Sequence, residues 1–350
     1  FKGITPQDAG EYSRDNYAVY ADVEHDVTDE LLMQYALRFE DFSDFGSTAN
    51  WKVAGNYSLT DETSLRAAIS TGFHAPTPGQ SNVRTTITTF DGTTGVQREE
   101  GLIPAVDPRA VAAGGQAIKE EESTNISLGI TTNLTDETML TLDFYQIAVD
   151  DRIYRTGDIA QDDGSTISFY TNALDVEHTG FDLVLSTNFD WNNTVSTNLN
   201  FAYGYNKIDV VGQRKIGDIQ PVSDSTVEDI ENNYPTSRFV VSANTELTEQ
   251  LSVMLRANYY GAHYDERGTI GAAENPSAEI DATVYFDAEV NYQINENLQA
   301  KLGFSNLFDT YIDEIEAPYA NRQSVGLQYP RRSAANYEGG SWYLSLSYNF

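Results

Sequence analysis

The sequence predicts an all-β protein, an antiparallel transmembrane β-barrel with roughly thirteen strands in this chain, and three observations carry that prediction. Apolar and polar side chains alternate with a period of two through most of the chain, as strands with one greasy and one wet face require. The connections alternate between tight turns and long loops. Aromatic residues, among them Tyr57, Phe189, Trp191, Tyr292, Tyr348 and Phe350, gather near strand ends, where a membrane interface would hold them. A general preference of aromatics for strands explains their number but not their position.

Along the chain, Tyr17, Val19, Ala21 and Val23 share a face opposite Tyr20, Asp22 and Glu24. Leu31, Met33, Tyr35, Leu37 and Phe39 stand opposite Gln34, Arg38 and Glu40. Trp51, Val53, Tyr57 and Leu59 follow, then Leu65, Ala67, Ile69 and Phe73 opposite Arg66, Ser70 and His74. After a long gap the pattern resumes with Ile126, Leu128 and Ile130, then Leu140, Leu142 and Phe144 opposite Asp143 and Tyr145. Phe181, Leu183, Leu185 and Phe189 come next, and Thr171, Asn172 and Ala173 are placed to extend that strand backwards. Leu199, Phe201, Tyr203 and Tyr205 oppose Asn198, Asn200, Gly204 and Asn206. Phe239, Val241 and Ala243 precede Leu251, Val253, Leu255, Ala257 and Tyr259. Val284, Phe286, Ala288, Val290 and Tyr292 oppose Asp287, Glu289 and Asn291, and Leu298, Ala300, Leu302 and Phe304 lead to the last stretch. There, in SWYLSLSYNF, Trp342, Leu344, Leu346, Tyr348 and Phe350 form one face. Many stretches approach the roughly 9–11 residues that cross a bilayer at a tilt.

A soluble sandwich would show the same alternation, so the connections decide. Short ones repeat a phrase: Val27-Thr28-Asp29-Glu30-Leu31, Leu59-Thr60-Asp61-Glu62-Thr63, Leu134-Thr135-Asp136-Glu137-Thr138, Leu247-Thr248-Glu249-Gln250-Leu251 and Ile294-Asn295-Glu296-Asn297-Leu298. Each places small polar turn formers between apolar strand ends. Between them lie long connections at 75–121, 154–168, 207–235, 262–280 and 309–340, with only 43–46 short on that side. Tight turns on one rim and long loops on the other are the asymmetry of outer-membrane barrels. A last strand descending from 309–340 then leaves Phe350 on the short-turn, periplasmic side.

Composition narrows the functional classes. The formal net charge of −32 over 350 residues excludes a nucleic-acid partner, whose phosphates need Lys and Arg. Such acidity fits a solvated, salt-adapted surface, or acidic loops that bind divalent cations or attract cationic solutes. With no cysteine there is no disulfide framework, thiolate catalysis or Cys-ligated zinc. No apolar run approaches the roughly 18 residues of a membrane-spanning helix. Phe1 opens the sequence without the charged and apolar regions of an export signal, and the odd strand count and abrupt polar start suggest preceding strands upstream. His25, His74, His178 and His263 lie in no catalytic or metal-ligating context, and Asp162-Asp163-Gly164 lacks the spaced oxygens of a calcium loop. The expectation is a non-enzyme without cofactor or metal.

Four stretches resemble the C-terminal barrel of TonB-dependent outer-membrane receptors. Arg66 to Pro78 looks like that family's arginine, glycine and FRAP signature, with Phe73, His74, Ala75 and Pro76 at the motif and His74 where arginine is usual. Lys119-Glu120-Glu121-Glu122-Ser123 through Leu128-Gly129 is similar to its KPExSxxxELG strand, with Glu120 replacing proline. Asn172 through Gly180-Phe181-Asp182-Leu183 resembles its NxxxxxxxGxEL segment, and Gly303 through Asn306-Leu307-Phe308-Asp309 matches its GxxNLFD motif. The resemblance implies that 1–350 is a single barrel domain, the later portion of a barrel of about 22 strands. It also implies an N-terminal plug and TonB box, neither present in this sequence. It places the protein in the bacterial outer membrane, among its lipid and lipopolysaccharide, with Phe350 as assembly signal. The implied activity is import of a scarce solute, most often a ferric siderophore or other metal chelate, energised by a TonB-type partner acting through the missing N-terminal part. A haem receptor would carry a second motif and a histidine that 75–120 lacks. The rivals are a passive acidic porin and, further off, an outer-membrane enzyme or adhesin.

The long loops hold the candidate binding residues. Arg84, Tyr154, Arg155, Tyr264, Arg267, Tyr319 and Arg331 are expected to form an outward-facing pocket. Their cations would grip an anionic chelate and their phenols would pack its rings. Arg38, Lys52, Arg66, Arg256 and Lys301 are expected to face the lumen and pair with carboxylates there or with a plug.

Overall fold

The computed structural model describes residues 8–90, 97–265, 270–271, 277–314, 328–330 and 333–350, with backbone alone at 89–90 and 97–99. In chain order it contains β1 (Asn16–Asp26), β2 (Leu31–Phe42), β3 (Gly46–Ser58) and β4 (Thr63–His74). A long connection then carries α1 (Pro78–Asn82), β5 (Thr85–Phe90), β6 (Gln97–Leu102) and α2 (Pro108–Ala112). Next come β7 (Glu121–Thr135), β8 (Thr138–Arg155), the short β9 (Ile159–Ala160) and β10 (Thr166–Ser168), β11 (Tyr170–Asp190) and β12 (Ser196–Gln213). The remainder is α3 (Asp224–Asn232), β13 (Ser237–Glu246), β14 (Leu251–Tyr260), β15 (His263–Tyr264), β16 (Glu279–Ile280), β17 (Thr283–Asn295), β18 (Leu298–Ser305) and β19 (Ser341–Tyr348).

Thirteen of these strands form one antiparallel sheet in the order β1-β2-β3-β4-β7-β8-β11-β12-β13-β14-β17-β18-β19, each long strand pairing with its neighbours in the chain. Directly opposed residues share a face, so the register tests the alternation. Val19 pairs with Phe39, Tyr35 with Val53, Ile69 with Ile126 and Phe144 with Phe181. Leu183 pairs with Tyr203, Val241 with Ala257, Val290 with Leu302 and Leu302 with Leu344. The apolar stripe therefore runs unbroken from β1 to β19. Among the described residues nothing covers it: Val19, Leu344, Leu346 and Trp342 are all strongly exposed, Trp342 at 70%. An apolar face of this extent on a protein needs a non-aqueous cover, which a bilayer provides.

The repeated turn phrase has a local cause. Thr60 Oγ1 accepts from the Glu62 and Thr63 amides at 3.2 and 3.1 Å and donates to the Glu62 carboxylate at 3.0 Å. Thr28 makes the same set with Glu30 and Leu31, and Thr248 caps the Gln250 and Leu251 amides. Asn295 substitutes its Oδ1 for the hydroxyl, accepting from Asn297 and Leu298. A short polar side chain that satisfies two turn amides closes each hairpin without a longer loop.

On the opposite rim three strands run longest. β8, β11 and β12 run 18, 21 and 18 residues, well past the roughly 9–11 needed to cross a bilayer. β12 continues to Gln213 where the sequence pattern suggests a loop from 207. The reason is a change of partner. Beyond the membrane, Ile208 and Val210, which share a face with Asn200, Gly204 and Asn206, pack against α3, so a helix covers apolar residues on the side that elsewhere meets water.

Candidate solute-facing site

The long connections fold into a cap at the extracellular rim. The 75–120 and 156–169 connections share a four-stranded sheet, β5-β6-β10-β9, in which β10 pairs with β6 in parallel, Ile167 opposite Gly101. Beneath it Ile103, Ala105, Ala110, Ile118, Ile153, Ile159, Ile167, Phe169 and Ile216 form a dry core with Phe169 fully buried. A second core sets Val222, Val227 and Ile230, in and before α3, against Ala173, Leu174, Val176, Ile208 and Val210. Val176, Ile208 and Val210 lie on the polar, inward-facing side of β11 and β12 by register, so α3 leans over the lumen. A third core joins Tyr285 of β17 to Ile280, Ile312 and Ala335 from the last two loops.

Of the expected binding residues, the structure brings Tyr154 and Arg155 together. They line a recess of about 620 Å³ with Arg152, Asp158 and Tyr170. Two guanidiniums and two phenols around one recess suit a ligand with oxyanions and flat rings, although Tyr154 also packs on the second core and Tyr170 on the first. The Arg155 guanidinium is oriented by Ser168 Oγ, to which it donates at 2.8 and 3.1 Å, and lies 4.0 Å from Asp158. Arg152 has no carboxylate within salt-bridge distance among the described residues. Sequence reasoning missed Arg152 and Tyr170 because it treated 154 as the start of a loop. The apolar spacing of Ile147 and Val149 continues the β8 pattern and was the available signal.

The other candidates lie elsewhere. Arg84 forms an ion pair with Asp107, which also accepts from the Arg109 amide at 2.9 Å as the N-cap of α2. Burial alone would raise the Asp107 carboxyl, but Arg84 and Arg109 outweigh it and hold the group below its ordinary value. Arg84 is thus a strut within the cap. Tyr264 is half-buried in β15, opposite Glu279 of β16. Arg267, Tyr319 and Arg331 lie outside the described residues. Among the described residues no three His, Asp or Glu side chains converge as a metal centre would require.

The motif positions build the fold. Phe73 packs edge-on against Phe42 at 5.7 Å, and His74 Nδ1 lies 3.6 Å from Glu121. Ala75 is half-buried, and Pro76 is buried with its carbonyl accepting from Arg14, itself paired with Asp44. Asn172 ties two strands: its amide accepts from the Lys119 N–H at 2.8 Å and donates to the Lys119 and Asp151 carbonyls at 3.0 and 2.8 Å. Asn306 takes φ 51° and bonds Thr310 and Glu338, while the Leu307 amide donates to Phe286 and the Phe308 ring meets the Phe286 ring edge-on. Phe350 stacks edge-on with Tyr348 at 5.1 Å on the periplasmic rim.

The inner wall is polar and in part self-paired: of the cations expected there, Arg38, Arg66 and Lys301 meet carboxylates, whereas Lys52 and Arg256 form no ion pair among the described residues. Arg66 binds Asp143 and Thr131, and a Cβ at Gly129 would fall on that ion pair. Lys301 lies 3.1 Å from Glu289, which also accepts from the Tyr343 hydroxyl; that ring crosses Gly303, where a Cβ would collide with it. Arg38 pairs with Glu40 at 2.8 Å. A second recess of about 600 Å³ on this wall is lined by Asn198, Asn244, Arg256, Asp287 and Glu289 among others.

A sheet with lipid outside, polar side chains inside, tight turns below and a folded cap above defines the wall of an outer-membrane barrel. The chain belongs to the family described as TonB dependent receptor-like, beta-barrel, which it matches over residues 1–307. It lies in the outer membrane of a Gram-negative bacterium, in a family of receptors and transporters rather than enzymes. It is 25% identical to the probable TonB-dependent siderophore receptor PirA of Acinetobacter baumannii, covering 93% of this chain and 41% of that protein. With the vitamin B12 transporter BtuB of Photobacterium profundum it shares 24% identity over 97% of this chain and 44% of that one. In structure it resembles A. baumannii PirA, with a TM-score of 0.65 at 18% identity over 96% of this chain and 46% of that one. A variant of the ferric enterobactin receptor PfeA of Pseudomonas aeruginosa gives 0.66 at 16% identity, covering 100% of this chain and 48% of that one. The chain spans less than half the length of the curated relatives it matches.

Proposed function

We propose that residues 1–350 act as one barrel unit within a TonB-dependent receptor that captures a scarce solute at its extracellular cap and imports it with energy relayed by a TonB-type partner. The solute class favoured is a ferric siderophore or another metal chelate with anionic oxygens and flat rings. The observation that carries this reading is the recess lined by Arg152, Arg155, Tyr154 and Tyr170 where the outer ends of β8 and β11 meet. Guanidiniums match oxyanions in pairs and phenols stack on rings, which is the chemistry of a ferric catecholate surface. The siderophore receptors among the relatives support the same class. The chemistry is capture and passage, with no bond made or broken in the solute.

The test is uptake of radioactive iron by cells whose only receptor is the intact polypeptide, supplied with ferric catecholate, hydroxamate or carboxylate chelates. The expected result is saturable uptake of one class that stops when the inner-membrane energy supply is collapsed. Uptake that persists without energy, together with steady single-channel conductance of the purified protein, overturns the reading in favour of a passive porin.

A further inference from the structure

A separate recess of about 250 Å³ lies where the 75–120 connection meets the loop after β12, lined by Gln116, Lys119, Asp151, Thr171, Arg214 and Lys215 among others. Three cations face one carboxylate there, in a chain whose formal net charge is −32. Arg214 is already engaged, bridging Asp151 and Asp175. Lys119 and Lys215 are different: neither has a carboxylate within salt-bridge distance among the described residues. Both are presented from fixed backbone. The Lys119 N–H and carbonyl are held by the Asn172 amide at 2.8 and 3.0 Å. Lys215 sits between Arg214, whose N–H donates to the Ala173 carbonyl at 2.9 Å, and Ile216, which is buried in the cap core and bridged to Ile219.

We propose that this recess is a binding site for a small soluble oxyanion, a carboxylate or phosphate group, held between the Lys119 and Lys215 ammoniums with Gln116 and Thr171 as neutral hydrogen-bond partners. Two ammonium groups lining one small recess repel each other, and an anion between them removes that repulsion while forming charge-assisted hydrogen bonds. The volume admits one such group rather than an entire metal chelate, so the site takes a free small anion or a single acidic arm of a larger solute. The inference concerns binding at equilibrium and does not require the transport reading.

The test is calorimetric titration of the intact polypeptide in detergent with succinate and with inorganic phosphate. Saturable binding is expected at low salt, weakening about tenfold or more in the Lys119→Ala/Lys215→Ala double variant and weakening with ionic strength in the parent. The Lys119→Arg/Lys215→Arg variant, which keeps both charges, should retain binding and serves as the control for folding. Equal affinity in the double alanine variant overturns the proposal, as does the absence of saturable binding with either anion even where energised solute uptake is intact. Binding of lipopolysaccharide micelles that is lost in the double alanine variant, with no saturable binding of either free anion to the parent, also overturns it, assigning the recess to lipid phosphate.

Discussion

The membrane wall and the extracellular cap solve the burial problem in opposite ways. In the wall, Leu302, Leu344 and their neighbours point away from all other protein, and the polar groups face inward to pair with one another. The described hydrophobic cores, around Phe169, Val222 and Tyr285, lie in or beside the loops. The wall is thus held by backbone ladders and by solvent preference, whereas the cap is held as a soluble domain is, by close packing of aliphatic side chains. A substitution should therefore be felt on one side only, and its chemistry should say which.

The sharpest separation is expected from Phe169→Ala, which empties the centre of the cap core and costs about 3–5 kcal/mol there. Hydrogen exchange should rise in 100–120 and 156–170 while the wall amides stay protected; equal loss in both would show that cap and wall unfold together. In the wall, Leu302→Arg, halfway along β18 on the lipid face, should cost about 2–4 kcal/mol when measured by folding into vesicles. The corresponding loss should be absent from cap exchange. Gly129→Ala should cost about 1–3 kcal/mol, because the new methyl displaces the Arg66–Asp143 pair; pairing with Asp143→Ala should give less than additive loss, read in the same assay. Thr60→Ala removes two turn amide bonds and should cost about 0.5–1.5 kcal/mol, without altering strand register.

The smallest effect is one of pH, and it should be confined to the cap. His263 is buried, with its ring nitrogens bonded to the Gly261 carbonyl and Ser333 Oγ at 2.9 and 3.0 Å. Burial pushes its proton affinity below the ordinary value of 6.5. Opening these loops therefore takes up a proton, and the stability of the neutral ring is lost as pH falls below that ordinary value. Asp107, held low by Arg84 and Arg109 against its burial, works in the same direction: its contribution is present at neutral pH and disappears as pH falls through its lowered value. Limited proteolysis at pH 7.5 and 5 should show faster cleavage in the loops after β14 and β18 at the lower pH. His263→Gln should remove most of that difference.

Much of the wall was legible because its signal is local. Period-two alternation fixed the partners Val290, Leu302 and Leu344 on one face, and the Thr-Asp-Glu phrase placed hairpins at Thr28, Thr60 and Thr135 where the structure has them. Thr171, Asn172 and Ala173 do extend β11 as expected. The candidate binding residues were less legible. Arg84 and Arg155 have the same chemistry in the sequence, yet Asp107, 23 residues away from Arg84, absorbs one of them, and Ser168 aims the other. The cap core has no period at all: Ile103, Ile118, Ile159 and Ile216 come from three connections, and each looks like a stray loop aliphatic.

By itself, then, the order of residues determined which side chains meet lipid, which meet water and where the chain reverses, since a strand's two faces and a four-residue turn are decided by neighbours in the chain. Only the tertiary structure decided that the long loops close over dry centres, that α3 leans inward, and which arginines and lysines meet a carboxylate among the described residues. The physical reason is distance along the chain. A charge is committed or left open by a partner that the sequence lists tens of residues away, and nothing in its own neighbourhood records the meeting.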